Sequence, residues 1–144
     1  MERLKYRMPA QIRWSDVDQF GHVNNSVYFS LYDLAKTSYL RDVVGVKSFS
    51  DYAIVVANIN ANFFIPIFFN EEVVIETSVI QLGNKSFTLL QRVVDPVKEE
   101  IKCECRTVMV YFDLKKAEPT PLLQEHKEAI CLYEGKTLEE LGKH

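Results

Sequence analysis

Residues 24–41 read N-N-S-V-Y-F-S-L-Y-D-L-A-K-T-S-Y-L-R. Ser26, Ser30, Asp33, Thr37 and Arg41 recur at spacings of three and four, which places them on one narrow stripe of a helix with 3.6 residues per turn. Val27, Tyr28, Phe29, Leu31, Tyr32, Leu34, Ala35, Tyr39 and Leu40 cover most of the remaining circumference. A helix that is apolar nearly all round has to be buried on most of its sides. The rest of the chain must therefore supply something that wraps it.

Downstream, a short irregular link over 45–52 leads into four strand-like runs, 53–65, 72–82, 85–95 and 100–113, dominated by Val, Ile, Thr and Phe as strands prefer. Gly83-Asn84 is a two-residue hairpin signal, and Asp95-Pro96 opens a second turn ahead of Lys98-Glu99-Glu100. These links predict an antiparallel meander of the four strands, each longer than the usual ~5–6 residues. Long antiparallel strands twist and curl, so a sheet folded around the helix satisfies both. In the first run Ile54, Val56, Asn58, Asn60 and Asn62 alternate with Val55, Ala57, Ile59, Ala61 and Phe63. One face is thus expected to be apolar throughout and the other to turn polar at Asn58.

Upstream of the helix, residues 8–15 read as a short strand. The order strand, helix, then four strands excludes a doubly wound α/β fold, which needs repeated crossovers. The expected class is α+β: a single domain over 1–144 whose core, about 8–115, is a curled antiparallel sheet wrapped around one long central helix. The remainder, 116–144, carries Pro119, Pro121 and a modest helical patch over 122–132, and reads as a peripheral tail.

A chain of 144 residues, 47% hydrophobic and 26% charged, has the size and composition of one globular domain. A net charge of -3 argues against a surface built to blanket phosphate backbones, so no nucleic-acid partner is expected. The N-terminal M-E-R-L-K-Y-R-M-P lacks the apolar core of a secretory signal, and no apolar run is long enough for a membrane span. The expectation is a cytoplasmic protein without a membrane partner. Cys103, Cys105 and Cys131 are odd in number and lack C-x-x-C spacing, so reduced thiols are expected.

Polar chemistry concentrates where the first strand meets the helix, in S-D-V-D-Q-F-G-H-V-N-N, residues 15–25. Asn24 or Asn25 is a natural N-cap, and the first amide N–H groups of a helix have no intrahelical partner. Such donors can polarise a carbonyl, and Asp18, across a loop containing Gly21, can be folded back beside them to activate water or attack the carbonyl itself. The plainer alternative is a solvated turn whose acids and amides only cap the helix. No G-x-S-x-G elbow and no P-loop occurs.

The stretch R-W-S-D-V-D-Q-F-G-H-V-N-N-S-V-Y-F, residues 13–29, resembles the motif that leads into the helix of hotdog-fold acyl-CoA thioesterases of the 4-hydroxybenzoyl-CoA thioesterase type. The similarity continues through F-I-P-I-F-F-N-E-E-V-V-I-E-T, L-G-N-K-S-F and C-R-T-V-M-V-Y-F-D, and so spans about residues 8–115. The resemblance implies the same helix-in-sheet fold. It implies that Asp18 is the catalytic carboxylate, acting as nucleophile or general base, and that the Asn25 backbone N–H polarises the thioester oxygen. Asp16, His22 and Asn24 are implied to brace the loop and cap the helix. Lys85 matches a basic position near the CoA phosphates, although Gly83 and Asn84 stand where a relative can carry further basic residues.

The resemblance further implies no cofactor, no metal, and a homodimer or homotetramer paired edge to edge with its sites at the interface. Asn58, Asn60 and Asn62 then line that interface or the site, or else face solvent, and Tyr28, Tyr32, Phe63 and Phe64 are candidates to surround the acyl group. Hydrolysis of an acyl-CoA thioester is the leading expectation. The alternatives are an acyl-carrier-protein thioesterase and a non-catalytic acyl-thioester-binding module; a fold-sharing dehydratase lacks its histidine-centred signature here.

Overall fold

The structure is a computed structural model that describes residues 2–47 and 51–142; residues 48–50 of the expected link, and 143–144 at the end of the expected tail, lie outside the described residues. Strand β1 (Tyr6–Ala10) precedes a turn of 3-10 helix at Trp14–Asp16 and then helix α1 (Asn25–Tyr39). Strands β2 (Tyr52–Phe63), β3 (Val73–Leu82), β4 (Ser86–Asp95) and β5 (Glu100–Asp113) follow. The two-residue β6 (Glu118–Pro119) and helices α2 (Gln124–Glu134) and α3 (Leu138–Gly142) end the chain. The expected strand over 8–15 is corrected to a shorter one that starts earlier, because the Asp16 side chain turns back to Arg13 and closes the 3-10 turn. Among the described residues no helix is long and apolar enough to cross a membrane.

The antiparallel sheet has the order β1-β3-β4-β5-β2, with β6 paired to the end of β5. Strands β3, β4 and β5 form the expected meander, but β2 is corrected: it pairs with β5 rather than β3 and occupies the far edge. The link over 64–72 does not close a hairpin; it crosses beneath the start of α1. There the Val23 N–H donates to the Ile67 carbonyl at 2.8 Å, and His22 bridges Phe68.

The faces of β2 also need correction. Opposite β5 the register slips at Ala57, so that Val56 pairs with Met109 but Asn58 pairs with Val108. One extra residue reverses the alternation. Ile54, Val56, Ile59, Ala61 and Phe63 therefore share the side of Tyr111, Met109, Thr107, Cys105 and Cys103, while Val55, Asn58, Asn60 and Asn62 face outward. The bulge keeps the apolar set on the face turned to the helix, where strict alternation would have driven the asparagines.

Tyr28, Tyr32, Ala35 and Tyr39, spaced by three and four along α1, form its buried face. Around Tyr28 and Tyr32 pack Ile12, Val23, Ile75, Val93, Cys103 and Cys105, the cysteines free and buried. Around Tyr39 pack Val79, Phe87 and Tyr111. The wrapping is incomplete: Leu34 is 57% exposed on the face turned away from the sheet. The expectation of a peripheral tail is corrected as well. Leu122, Ile130 of α2 and Leu141 of α3 are buried in the Tyr39 cluster, where they pack with Leu40 and Val44 of the π-helical stretch after α1 (Leu40–Val44) at that end of the curled sheet.

Candidate active site

The loop before α1 is folded by its own acids. Asp16 is buried, and its carboxylate accepts from the Arg13 backbone N–H at 2.8 Å and from the Arg13 guanidinium at 2.9 Å. That bond to Arg13 holds the Asp16 carboxyl below its ordinary range, against the opposing effect of burial. The Asp16 carbonyl in turn accepts from the Asn24 N–H at 2.9 Å. Asp16 is thus a brace between the 3-10 turn and the helix start.

Asp18 lies on the exposed turn that follows. Its Oδ1 accepts from the backbone N–H groups of Phe20 (2.9 Å) and His22 (3.3 Å), while its own N–H donates to the His22 carbonyl at 2.8 Å. The turn closes at Gly21, whose φ of +82° is a conformation glycine adopts without a steric penalty. Among the described residues Oδ2 of Asp18 has no partner, so one carboxylate oxygen is fixed and the other is unengaged.

Asn24 is the N-cap: its Oδ1 accepts from the Ser26 N–H and the Ser26 hydroxyl, each at 3.0 Å, and its carbonyl accepts from Val27 at 2.9 Å. Ser26 and Val27 are thereby satisfied. The Asn25 N–H, at the first helical position, has no partner among the described residues and stands at the positive end of the helix dipole.

Asn25 opens onto a cavity of ≈ 240 Å³ walled by His22, Val23 and Tyr28 on one side and by Phe63 to Pro66 on the other. Tyr28 meets Phe63 edge to face at 5.0 Å, and the His22 ring meets Phe68 edge to face at 4.9 Å. Burial pushes the Tyr28 hydroxyl up to about 12, so it is a neutral phenol at physiological pH. The structure therefore gathers Asn25, His22, Tyr28 and Phe63 at one cavity, with Phe64 beside them. Asp18 is not part of the wall; it is tied to the rim through the His22 N–H. Tyr32 lies deeper, one helical turn below Tyr28, fully buried and with no aligned partner for its hydroxyl.

Two expected site residues stand elsewhere in the chain. The β2 bulge puts Asn58, with Asn60 and Asn62, on the outer face of the sheet, in a separate polar hollow with Glu104 and Arg106. Lys85 sits exposed in the β3–β4 hairpin. Phe63 pairs with Cys103 and Ser86 with Val110, seven residues further along β5, so Lys85 is roughly 20 Å from the cavity at ~3.3 Å per strand residue.

Of the crossover wall, Phe64 was expected near the acyl group, whereas Ile65 and Pro66 were not legible as part of a site from residue type. Among the described residues no group of three His, Cys, Asp or Glu side chains is gathered to hold a metal ion.

Comparison with known proteins bears on this arrangement. A thioesterase from Thermus thermophilus, determined with coenzyme A and Zn, is 27% identical, with 95% of this chain and 100% of that one covered and a TM-score of 0.81. The PA5185 protein of Pseudomonas aeruginosa PAO1 is 25% identical over 90% of this chain and 92% of that one, with a TM-score of 0.82. A 1,4-dihydroxy-2-naphthoyl-CoA thioesterase from Synechocystis shares the fold at 19% identity, 88% and 95% coverage and a TM-score of 0.77. No curated protein matches. The profile of the thioesterase-like superfamily matches residues 12–130, from just after β1 through most of α2. With the sheet folded around α1 in the hotdog manner of these neighbours, the chain belongs to the thioesterase-like superfamily.

Proposed function

We propose that this thioester hydrolase acts on acyl-CoA, with the Asn25 N–H polarising the thioester carbonyl and Asp18 supplying the carboxylate. The observation that carries the reading is the unpartnered Asn25 N–H at the start of α1, opening onto an aromatic-walled cavity whose rim is hydrogen-bonded to Asp18. The coenzyme A bound to the Thermus thermophilus thioesterase supports CoA as the carrier.

A thioester carbonyl has weaker resonance stabilisation than an ester or amide, so a single donor and a single carboxylate can suffice. Negative charge gathers on the carbonyl oxygen as the tetrahedral intermediate forms, and a fixed N–H stabilises it without reorganising. In one route Asp18 attacks the carbonyl carbon. The C–S bond breaks, the CoA thiolate takes a proton from water, and hydrolysis of the resulting anhydride restores the carboxylate. In the other route Asp18 removes a proton from water as the water oxygen attacks, then returns it to the departing sulfur. Tyr28, Phe63 and Phe64 surround the acyl carbon in both.

Assembly follows from the same edge. Among the described residues strand β2 has no neighbour on its outer side, and Val55, Val56, Ile59 and Phe63 along it, with Phe64 just after it, are exposed. Such an edge invites pairing with another strand. A second copy adding its β2 antiparallel continues the sheet and covers these side chains. It also brings the far end of the partner, with its Lys85 hairpin, to the end of the sheet where this cavity opens. A CoA phosphate contact by Lys85 thus requires the dimer.

Release of free thiol from a panel of acyl-CoAs and acyl-carrier-protein thioesters, by wild type and Asp18→Asn, tests the assignment. Turnover on CoA thioesters that is lost in Asp18→Asn is expected. Equal turnover by both proteins removes Asp18 from the chemistry; preference for the protein-borne thioesters shifts the substrate; no turnover on any thioester leaves a binding module.

A further inference from the structure

We infer that the buried ion pair of Lys102 with Glu71 is a positioning device that sets the distance between the crossover wall and the start of α1. This rests on the reading of that cavity as the thioester site. Lys102 is an extra residue in β5: Val93 pairs with Cys103 and Val94 with Ile101, so Lys102 falls in a bulge and is released from the strand's alternation. Its backbone and side chain then both turn to the crossover. The Lys102 carbonyl accepts from Phe64 N–H at 2.8 Å and from Ile65 N–H at 3.1 Å. Its Nζ lies 2.9 Å from Glu71 Oε2, and 3.5 Å from both the Pro66 carbonyl and Glu100 Oε1. Glu71 Oε1 accepts from the Phe68 N–H at 2.8 Å.

One lysine therefore holds the crossover near both ends. Between those anchors lie the contacts that meet the helix start, Ile67 with Val23 and Phe68 with His22. The side chain of Lys102 is 2% exposed and that of Glu71 13%. Glu71 Oε2 has no aligned hydrogen-bond donor, so Lys102 holds it by charge. Lys98, 3.9 Å from the same oxygen, is itself mostly exposed. Burial works against the Lys102 charge, but Glu71 and Glu100 outweigh it and the ammonium stays protonated.

A buried pair of this kind is costly to desolvate, and well-packed apolar residues of similar volume often serve stability as well or better. Stability alone gives no reason for the charges. Geometry does, because a point charge between Glu71 and Pro66 permits one crossover position and apolar packing permits several. The position matters, because the wall and the Asn25 donor must grip the same carbonyl, and small misplacements from residues away from the chemistry cost up to roughly a hundredfold in rate.

The test uses Lys102→Met, Lys102→Arg, Glu71→Gln, the double variant K102M/E71Q and, as a control, Lys98→Met, measured as the full chain. Expected are a roughly ten- to hundredfold fall in kcat for the two charge-removing single variants, with KM little changed. The double variant should be no worse than the poorer single one, Lys102→Arg should recover most of the rate, and Lys98→Met should match wild type. The Val23 and Asn25 amide resonances should shift in Glu71→Gln and not in Lys98→Met. If Lys102→Met does not fold, Glu71→Gln and Lys102→Arg carry the comparison. Folded variants with kcat within twofold of wild type and unmoved amides overturn the inference. Should the wild type hydrolyse no thioester, the acyl-CoA reading fails, while the amide shifts still decide whether the pair positions the helix start.

Discussion

At its C-terminal end α1 runs without a break into a π-helical turn that stops at Gly45, whose φ is +86°, and Ile130, Leu141 and Leu122 seal that turn from the far end of the chain. At its N-terminal end the same helix starts beside an exposed acidic turn, leaves the Asn25 N–H without a partner, and faces a cavity. Aromatic side chains serve both ends, but differently. Tyr39 is fully buried, and its hydroxyl donates to Glu134, which also accepts from Ser78. Tyr28 and Phe63 meet at a cavity wall, with Phe63 44% exposed. At one end the helix is packed against the C-terminal helices, and at the other it presents an unpartnered N–H to a cavity. Mutations at the two ends should therefore separate stability from activity.

The largest separation belongs to Asp18→Asn. The change keeps size, and a positioned acid–base group contributes roughly 10²–10⁴-fold in rate. Thiol release should fall by that order while the melting temperature stays that of wild type. At the sealed end the reverse holds for Ile130→Ala, which leaves a hole in the Tyr39 cluster. Such truncations cost about 2–5 kcal/mol, visible in the urea midpoint, and kcat of the folded fraction should be unchanged.

Smaller effects sharpen the same contrast. Asn24→Ala removes the cap of the open end and should cost about 1 kcal/mol. The sealed end has its own pH response through His126, whose Nδ1 is 2.7 Å from the Tyr111 hydroxyl. Burial lowers the His126 pKa, so the folded protein binds this proton less readily than the unfolded chain. The contribution of His126 is present in full above about pH 6.5, the unfolded value, and is lost as pH falls from there through the lowered folded value. Denaturant midpoints between pH 7 and 5 should show this fall, and His126→Asn, which keeps a polar group near the Nδ1 position, should flatten it.

The two ends also differ in how far the sequence foretold them. The helix, its buried face and the four long strands follow from periodicity, because side-chain direction repeats every 3.6 or 2 residues. The acidic turn and the Asn24 cap were legible because capping needs particular side chains at fixed offsets. Periodicity gives no warning of a single extra residue, so the bulges at Ala57 and Lys102 were hidden, and with them the outward turn of Asn58 and the inward turn of Lys102. Strand order was hidden for a related reason. Whether β2 neighbours β3 or β5 depends on what the 64–72 link packs against, and that is the helix start. The sealing role of 122–142 was likewise invisible, since Leu122, Ile130 and Leu141 gain meaning only against the end of α1.

The central claim is that a backbone N–H, not a side chain, receives the thioester oxygen. Position 25 allows it to be tested cleanly. Asn25 is the first residue of α1, where proline is tolerated because the N–H it removes has no intrahelical acceptor. Asn24, with ψ of 138°, already has the extended backbone that a following proline requires. Steady-state thiol release should be compared for wild type, Asn25→Ala and Asn25→Pro, with circular dichroism to follow the fold. Asn25→Ala keeps the donor and should stay within a few-fold of wild type, whereas Asn25→Pro should fold and lose roughly 10²–10³ in kcat, the usual cost of one such donor. A folded Asn25→Pro that turns over as fast as Asn25→Ala would contradict the account.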